Sequence, residues 1–254
     1  MGRLSNKVAI ITGGASGLGE VTARRMVEND AKVVIADLNE ELGNKVADDI
    51  NKDGEGKALF VKLDVTSEEG WKDAVQKTID EFGRLDVLVN SAGISIAKTV
   101  EDSTIDDFRK SFAINVEGPF LGSNESVKYM KENENGGSII NIVSIAGLRG
   151  LQNAAPYSTT KGALRLLTAA TAVYYANQNY NVRVNGVYPS YIRTPMLEDV
   201  YSDEEIEKLK DLIPIGYLGA PENVADNIVY LASDESMYVT GTEQILDGGL
   251  TAGN

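Results

Sequence analysis

Tyr157 and Lys161 stand four residues apart in "APYSTTKGALRLL" (155–167), a run with helical character. Positions i and i+4 of a helix share a face, so the ammonium can reach the space the phenol occupies. A phenol with its ordinary pKa near ~10 is a poor proton carrier at neutral pH. A cation about 5 Å away, at an effective dielectric near 20, stabilises phenolate by roughly 3 kcal/mol. That lowers the phenol pKa by roughly two units, toward the range acid–base catalysis needs. The plainer account is a buried aromatic beside a solvated lysine. Composition weighs against it, because the chain contains neither His nor Cys. A Ser-His-Asp triad, a thiolate nucleophile and a Cys-based zinc site are therefore excluded. Proton transfer must fall to Asp, Glu, Lys or Tyr. Ser144 ends the apolar run "SIINIVS" thirteen residues before Tyr157, and its hydroxyl can hydrogen-bond a substrate oxygen as charge develops there.

A second constellation lies near the N-terminus. "TGGASGLGE" (12–20) follows an apolar β-branched run and precedes a helical stretch. Glycines at 13, 17 and 19 let main-chain N–H groups approach a pyrophosphate, whose charge the helix N-terminus favours. Gly13, Ser16, Gly17, Leu18 and Gly19 are the candidate loop residues, in a G-x-x-x-G-x-G variant of the dinucleotide fingerprint. Asp37 ends the next apolar run, eighteen residues past Gly19. A carboxylate there can accept from ribose hydroxyls and repels a 2′-phosphate, and no Lys or Arg occupies 13–19 or 38–39. The expected cofactor is NAD(H). Asp37 could instead simply cap the following helix.

These residues need a scaffold. Apolar runs at 7–12, 32–37, 58–64, 85–90, 138–144, 182–188 and 243–247 alternate with helical stretches at 17–29, 40–52, 68–82, 104–131, 157–177 and 221–232. Continuous apolar runs suit strands buried on both faces. Strand–helix alternation implies a single α/β domain over 1–254, a doubly wound parallel sheet with helices on both faces. Thr66 or Ser67 is the expected N-cap of the third helix. Residues 189–220 interrupt the alternation and are long enough to form a lid or substrate loop. The net charge of −14 argues against nucleic acid and anionic membrane as partners. No apolar run reaches the roughly 18 residues of a membrane span, and the start resembles no signal peptide, so a cytoplasmic protein is expected.

In order along the chain, "TGGASGLG", "NSAG" (90–93), Asn115, Ser144, "YSTTK" (157–161) and "YPSYIRTP" (188–195) resemble the short-chain dehydrogenase/reductases. The likeness spans essentially the whole chain, and its wording is most similar to bacterial secondary-alcohol and cyclic-alcohol dehydrogenases. It implies a Rossmann-type sheet of about seven strands, a nicotinamide cofactor and a homotetramer. It assigns Asp64 and Val65 to the adenine side, and Asn90, Ala92 and Gly93 to the cofactor wall. Pro189 and Ile192 fall to the nicotinamide wall, with Thr194 near its carboxamide. Asn115 becomes part of a proton relay linking Lys161 to solvent through water; taken alone, an Asn inside a helix reads as a main-chain contact or a kink. Ser91 stands where Asn is usual, and Ser190 where a Gly normally follows Pro. Some members hold a structural Mg²⁺ near the C-terminus, for which "GGLTAGN" offers no signature.

Ile94, Ser95, Ile145, Ala146, Tyr191, Met196, Leu197 and Val200 are the expected substrate-pocket residues. They suit a hydrophobic secondary alcohol or ketone with one oxygen to anchor. Arg193 is the lone fixed positive charge in "PSYIRTPMLED", which does not point to a strongly anionic substrate. Competing readings are a reductase of steroids, sugars or 3-oxoacyl carriers, and a regulator that binds NADH without turnover. The helix 157–177 is apolar around most of its circumference, which favours a partner subunit.

Overall fold

The computed structural model describes residues 2–52 and 56–253. Seven strands run parallel in the order β3-β2-β1-β4-β5-β6-β7. They are β1 (Val8–Thr12), β2 (Lys32–Asp37), β3 (Ala58–Lys62), β4 (Val87–Asn90), β5 (Gly137–Ile142), β6 (Val182–Pro189) and β7 (Glu243–Leu246). The order reverses between β1 and β4, and the cleft at such a switch point is where nucleotides bind in open α/β sheets. The central strands β1 and β4 are buried throughout, as their continuous apolar sequences require.

Helices α1 (Gly17–Glu28), α2 (Glu40–Asn51) and α3 (Glu68–Phe82) alternate with the first strands. Ser67 caps α3 by accepting from the Gly70 N–H at 3.0 Å, while Thr66 instead donates to Asp64. Trp71 of α3 is buried and donates its indole N–H to the Val65 carbonyl at 2.9 Å, fixing the turn after β3.

The expected single helix over 104–131 is two helices, α4 (Ile105–Phe112) and α5 (Gly118–Met130), joined by a π-helical turn at Ala113–Glu117. Pro119 explains the departure. It has no N–H for the carbonyl four residues back, and its ring crowds that carbonyl. The helix widens, and the Gly118 N–H reaches five residues back to Ala113. Gly122 of α5 then packs on Trp71, where an added Cβ would lie 2.5 Å from the indole. Gly122→Ala is expected to destabilise the protein by about 1–3 kcal/mol in urea unfolding, the usual cost of overpacking.

The helix expected at 157–177 begins two residues earlier, as α6 (Ala155–Asn177), so Tyr157 lies in its first turn. Residues 189–220 carry two helices, α7 (Pro195–Glu198) and α8 (Asp203–Lys210), before α9 (Pro221–Ala232). Leu197, Ile206 and Leu209 bury one another beneath Tyr191 and Tyr201, a small core of the insertion's own. The charged face of α8 is solvated, with Lys208–Glu204 and Lys210–Glu207 pairs. Among the described residues no helix is long and apolar enough to cross a membrane.

Candidate active site

The carboxyl ends of the strands open into one cleft of about 1510 Å³. On its β1 side the Thr12 hydroxyl accepts the N–H groups of Ser91 and Ala92, each at 3.0 Å, and so locks the glycine loop against the β4 turn. Gly13 has φ +64°, and a Cβ there would press on the Ala92 Cα at 3.0 Å. A Cβ on Gly19 would overlap the Gly13 carbonyl. Ser16, at the N-cap of α1, makes no side-chain cap bond, so the first-turn N–H groups are not taken by it. A narrow glycine turn at a helix start without such a cap fits a pyrophosphate.

Asp37 lines the cleft and its carboxylate has two protein partners, the Ala15 N–H at 3.1 Å and the Asn39 N–H at 2.9 Å. It therefore buttresses the glycine loop and the turn after β2. The cap of α2 is Asn39, which accepts from Leu42 at 3.0 Å. Asp64 accepts from the Thr66 N–H and hydroxyl at 2.9 and 2.7 Å.

Ser144 follows β5, and its Oγ accepts the Ala146 N–H at 3.1 Å. Lys161 lies one turn beyond Tyr157, with its Nζ 5.6 Å from the phenol ring centre. That ammonium is buried and donates to the Ile142 carbonyl at 2.7 Å. Burial raises the Tyr157 pKa, and a hydrogen bond with Ser144 works against the rise. Burial also lowers Lys161, to about 8. The expectation that Lys161 brings the phenol down by two units is thus corrected: desolvation outweighs the Ser144 hydrogen bond, and the uncharged phenol is the favoured form.

Of the residues expected in the site, all but Asn90, Asn115 and Ala146 line this cleft. Asn115 sits in the π turn, fully buried, and its carboxamide is occupied. Oδ1 accepts from the Ile94 N–H at 2.9 Å, and Nδ2 donates to the Ile94 carbonyl and to Thr160 Oγ1 at 2.9 and 3.1 Å. Both of its N–H groups are spent on protein partners. Asn90 lies behind the wall and donates to Asn141 Oδ1 at 2.8 Å, with its own Oδ1 buried and unpartnered. Ala146 is buried and serves Ser144 through its N–H rather than facing substrate. Ser190 has no left-handed φ among the described residues, and its N–H donates to the Leu246 carbonyl at 3.1 Å. Serine in place of glycine therefore introduces no backbone strain there.

The sequence reading missed the loop from Arg149 to Ala154, which forms part of the cleft wall. It connects Ser144 to Tyr157, and that connection was its signal: a short segment joining two candidate residues begins and ends at their site. Among the described residues no group of three acidic, His or Cys side chains could hold a metal ion.

Similarity to known proteins places the chain in one family. A family model described as "Enoyl-(Acyl carrier protein) reductase" matches residues 13–251. The chain is 41% identical over 250 residues to the NADP-dependent (R)-specific alcohol dehydrogenase of Lentilactobacillus kefiri, covering 98% of each. It is 42% identical over 257 residues to trans-4-hydroxycyclohexanecarboxylate dehydrogenase of Sinomonas cyclohexanicum, covering 99% of this chain and 95% of that one. Identity to cyclopentanol dehydrogenase of Comamonas testosteroni is 40% over 253 residues, covering 99% and 100%. The crystal structure of a short-chain type dehydrogenase/reductase from Mycobacterium marinum superposes with TM-score 0.91 at 34% identity, covering 98% and 96%. The chain belongs to the short-chain dehydrogenase/reductase family. Its named relatives include alcohol and cyclic-alcohol dehydrogenases of the short-chain type.

Proposed function

We propose that this protein is an NAD(H)-dependent dehydrogenase that interconverts a secondary alcohol and its ketone, with Tyr157 as general acid and base. The observation that carries the reading is the meeting of Ser144, Tyr157 and Lys161 in one cleft with the glycine turn. Gly13, Ser16, Gly17, Leu18, Gly19, Asp37, Asp64 and Val65 would hold the adenosine and pyrophosphate, and Ala92, Gly93, Pro189, Ile192 and Thr194 the nicotinamide end. A bound nicotinamide supplies the hydride acceptor or donor. The chain's own residues orient the carbinol: Ser144 donates to its oxygen, and Tyr157 takes or returns the hydroxyl proton. The insertion lines the cleft with Tyr191, Met196, Leu197 and Val200, which favour an apolar substrate body. A panel of secondary alcohols and ketones, assayed with both cofactors by NADH absorbance, tests the reading; no turnover of any member would overturn it.

The preference for NAD rests on Asp37. Lys62, its register partner on β3, is engaged by Glu40 at 3.4 Å rather than left to receive a 2′-phosphate. One relative is NADP-dependent by name, so the choice needs its own measurement. Asp37→Ser is expected to raise the NADP-to-NAD ratio of kcat/KM by about 10-fold or more, since it removes the repelling charge. An unchanged ratio would overturn the NAD assignment.

A homotetramer in the cytoplasm is the accompanying proposal. Leu166, Val173 and Tyr174 of α6 and Phe120 of α5 are exposed apolar residues, which a partner subunit would cover. Sedimentation at micromolar concentration tests it.

A further inference from the structure

The wall between Ser144 and Tyr157 carries a cation that the reaction above does not use. Arg149 lies five residues past Ser144, and its main-chain N–H donates to the Ile145 carbonyl at 3.1 Å. Its position is therefore tied to the turn that holds Ser144. The residue lines the cleft and is half-buried. Its Nε is buried with no hydrogen-bond partner, and no carboxylate among the described residues pairs with the guanidinium.

The other charges in the cleft are accounted for or solvated. Lys98 is held by Asp107 at 2.8 Å, and Lys161 by the Ile142 carbonyl. Lys110 is exposed. Asp102 accepts from Thr99 at 2.6 Å and Glu205 from the Ser202 hydroxyl at 2.8 Å. Asp37, also half-buried in the cleft, is held by the main-chain N–H groups of Ala15 and Asn39, which leaves Arg149 as the half-buried cation without a partner among the described residues.

A guanidinium keeps its charge at any physiological pH, and a buried N–H of such a group left unmade is costly. The terminal nitrogens of Arg149 are not buried and have no protein partner among the described residues, so a carboxylate in the cleft can accept two parallel N–H bonds from them. With a net charge of −14, the protein repels anions in general, so an anionic substrate would need a dedicated cation at the site. We infer that Arg149 is a specificity-determining residue, and that the substrate is a hydroxy acid or oxo acid: an apolar body with the reacting oxygen at Ser144 and Tyr157 and a carboxylate at Arg149. The inference rests on the dehydrogenase reading and narrows its substrate from neutral alcohols to carboxylates.

The test compares oxo acids of increasing length, 5-oxohexanoate to 8-oxononanoate, with their methyl esters, reduced by the protein with NADH. At least one acid should exceed its ester in kcat/KM by about 10-fold, with the difference in KM. Arg149→Met should lower the acid-to-ester ratio by about 10- to 100-fold, and Arg149→Lys should lose less because it keeps the charge without the planar fork. A ratio that Arg149→Met leaves unchanged, or esters preferred at every length, overturns the inference. Calorimetric binding of hexanoate, which cannot turn over, separates the two levels. Arg149-dependent hexanoate binding without turnover of any ketone sinks the dehydrogenase reading and leaves the carboxylate site standing. Turnover of esters with hexanoate binding indifferent to Arg149 does the reverse.

Discussion

Tyr157→Phe is expected to lower kcat for both directions by about 10³-fold or more while NADH still binds nearly as in the wild type. The substitution removes one oxygen from a buried ring and leaves the glycine turn, Asp37 and the fold untouched. Loss of the proton carrier, with no His or Cys to replace it, leaves only orientation and the Ser144 hydroxyl. The pH profile of the wild type adds a second check. Burial holds the phenol protonated above its ordinary range, so it is ready to donate in ketone reduction across neutral pH. Alcohol oxidation requires phenolate, so its kcat/KM should climb as pH rises, whereas reduction should not climb with it. Stopped-flow turnover with a separate NADH titration checks the variant; retention of a tenth or so of the wild-type rate would remove Tyr157 from the proposed chemistry.

Lys161→Met is expected to separate activity from stability. Lowering Lys161 from 10.5 to about 8 corresponds to roughly 3 kcal/mol spent at neutral pH on keeping a charge buried. Methionine removes that cost but leaves the Ile142 carbonyl without its donor, at about 1–3 kcal/mol. The two nearly cancel, so the unfolding free energy should stay within about 2 kcal/mol of wild type. Catalysis should fall by about 10²-fold or more, since the cation beside Tyr157 is gone. The pH dependence carries a distinct signature. Between about pH 8 and pH 10 the unfolded chain binds a proton at Lys161 that the folded protein has released, so wild-type stability gains with rising pH. Above about pH 10 the raised pKa of Tyr157 opposes this, because the unfolded phenol ionises first. Urea titrations at several pH values should show the first gain in the wild type and not in Lys161→Met. A variant that loses several kcal/mol instead would make Lys161 a structural residue.

Much of this molecule is readable in local sequence. All seven strands lie where the sequence places them, and the central ones are the plainest, because a strand buried on both faces has no polar alternation to obscure it. The glycine turn is equally legible, since Gly13 and Gly17 adopt positive φ and Gly19 has no room for a Cβ. The break of helix 104–131 is written in Pro119, but whether a proline ends a helix or widens it into a π turn depends on what packs around that turn. Asp37 was legible as a carboxylate at the right place, but its bonds to Ala15 and Asn39 were not, because they depend on how β2 ends beside the loop after β1.

The proposal for the reacting group came from sequence alone: with no imidazole and no thiol, a tyrosine and a lysine one turn apart were the available acid–base pair. So did the order of elements that brings strand ends together, since hydrophobic periodicity is a local property of the chain. The protonation bias of that pair was decided by tertiary structure, for desolvation depends on what packs around a group and not on its neighbours in sequence. The same holds for Asn115, whose carboxamide is consumed by Ile94 and Thr160, and for Arg149, whose want of a partner emerges only once every other charge in the cleft has been placed.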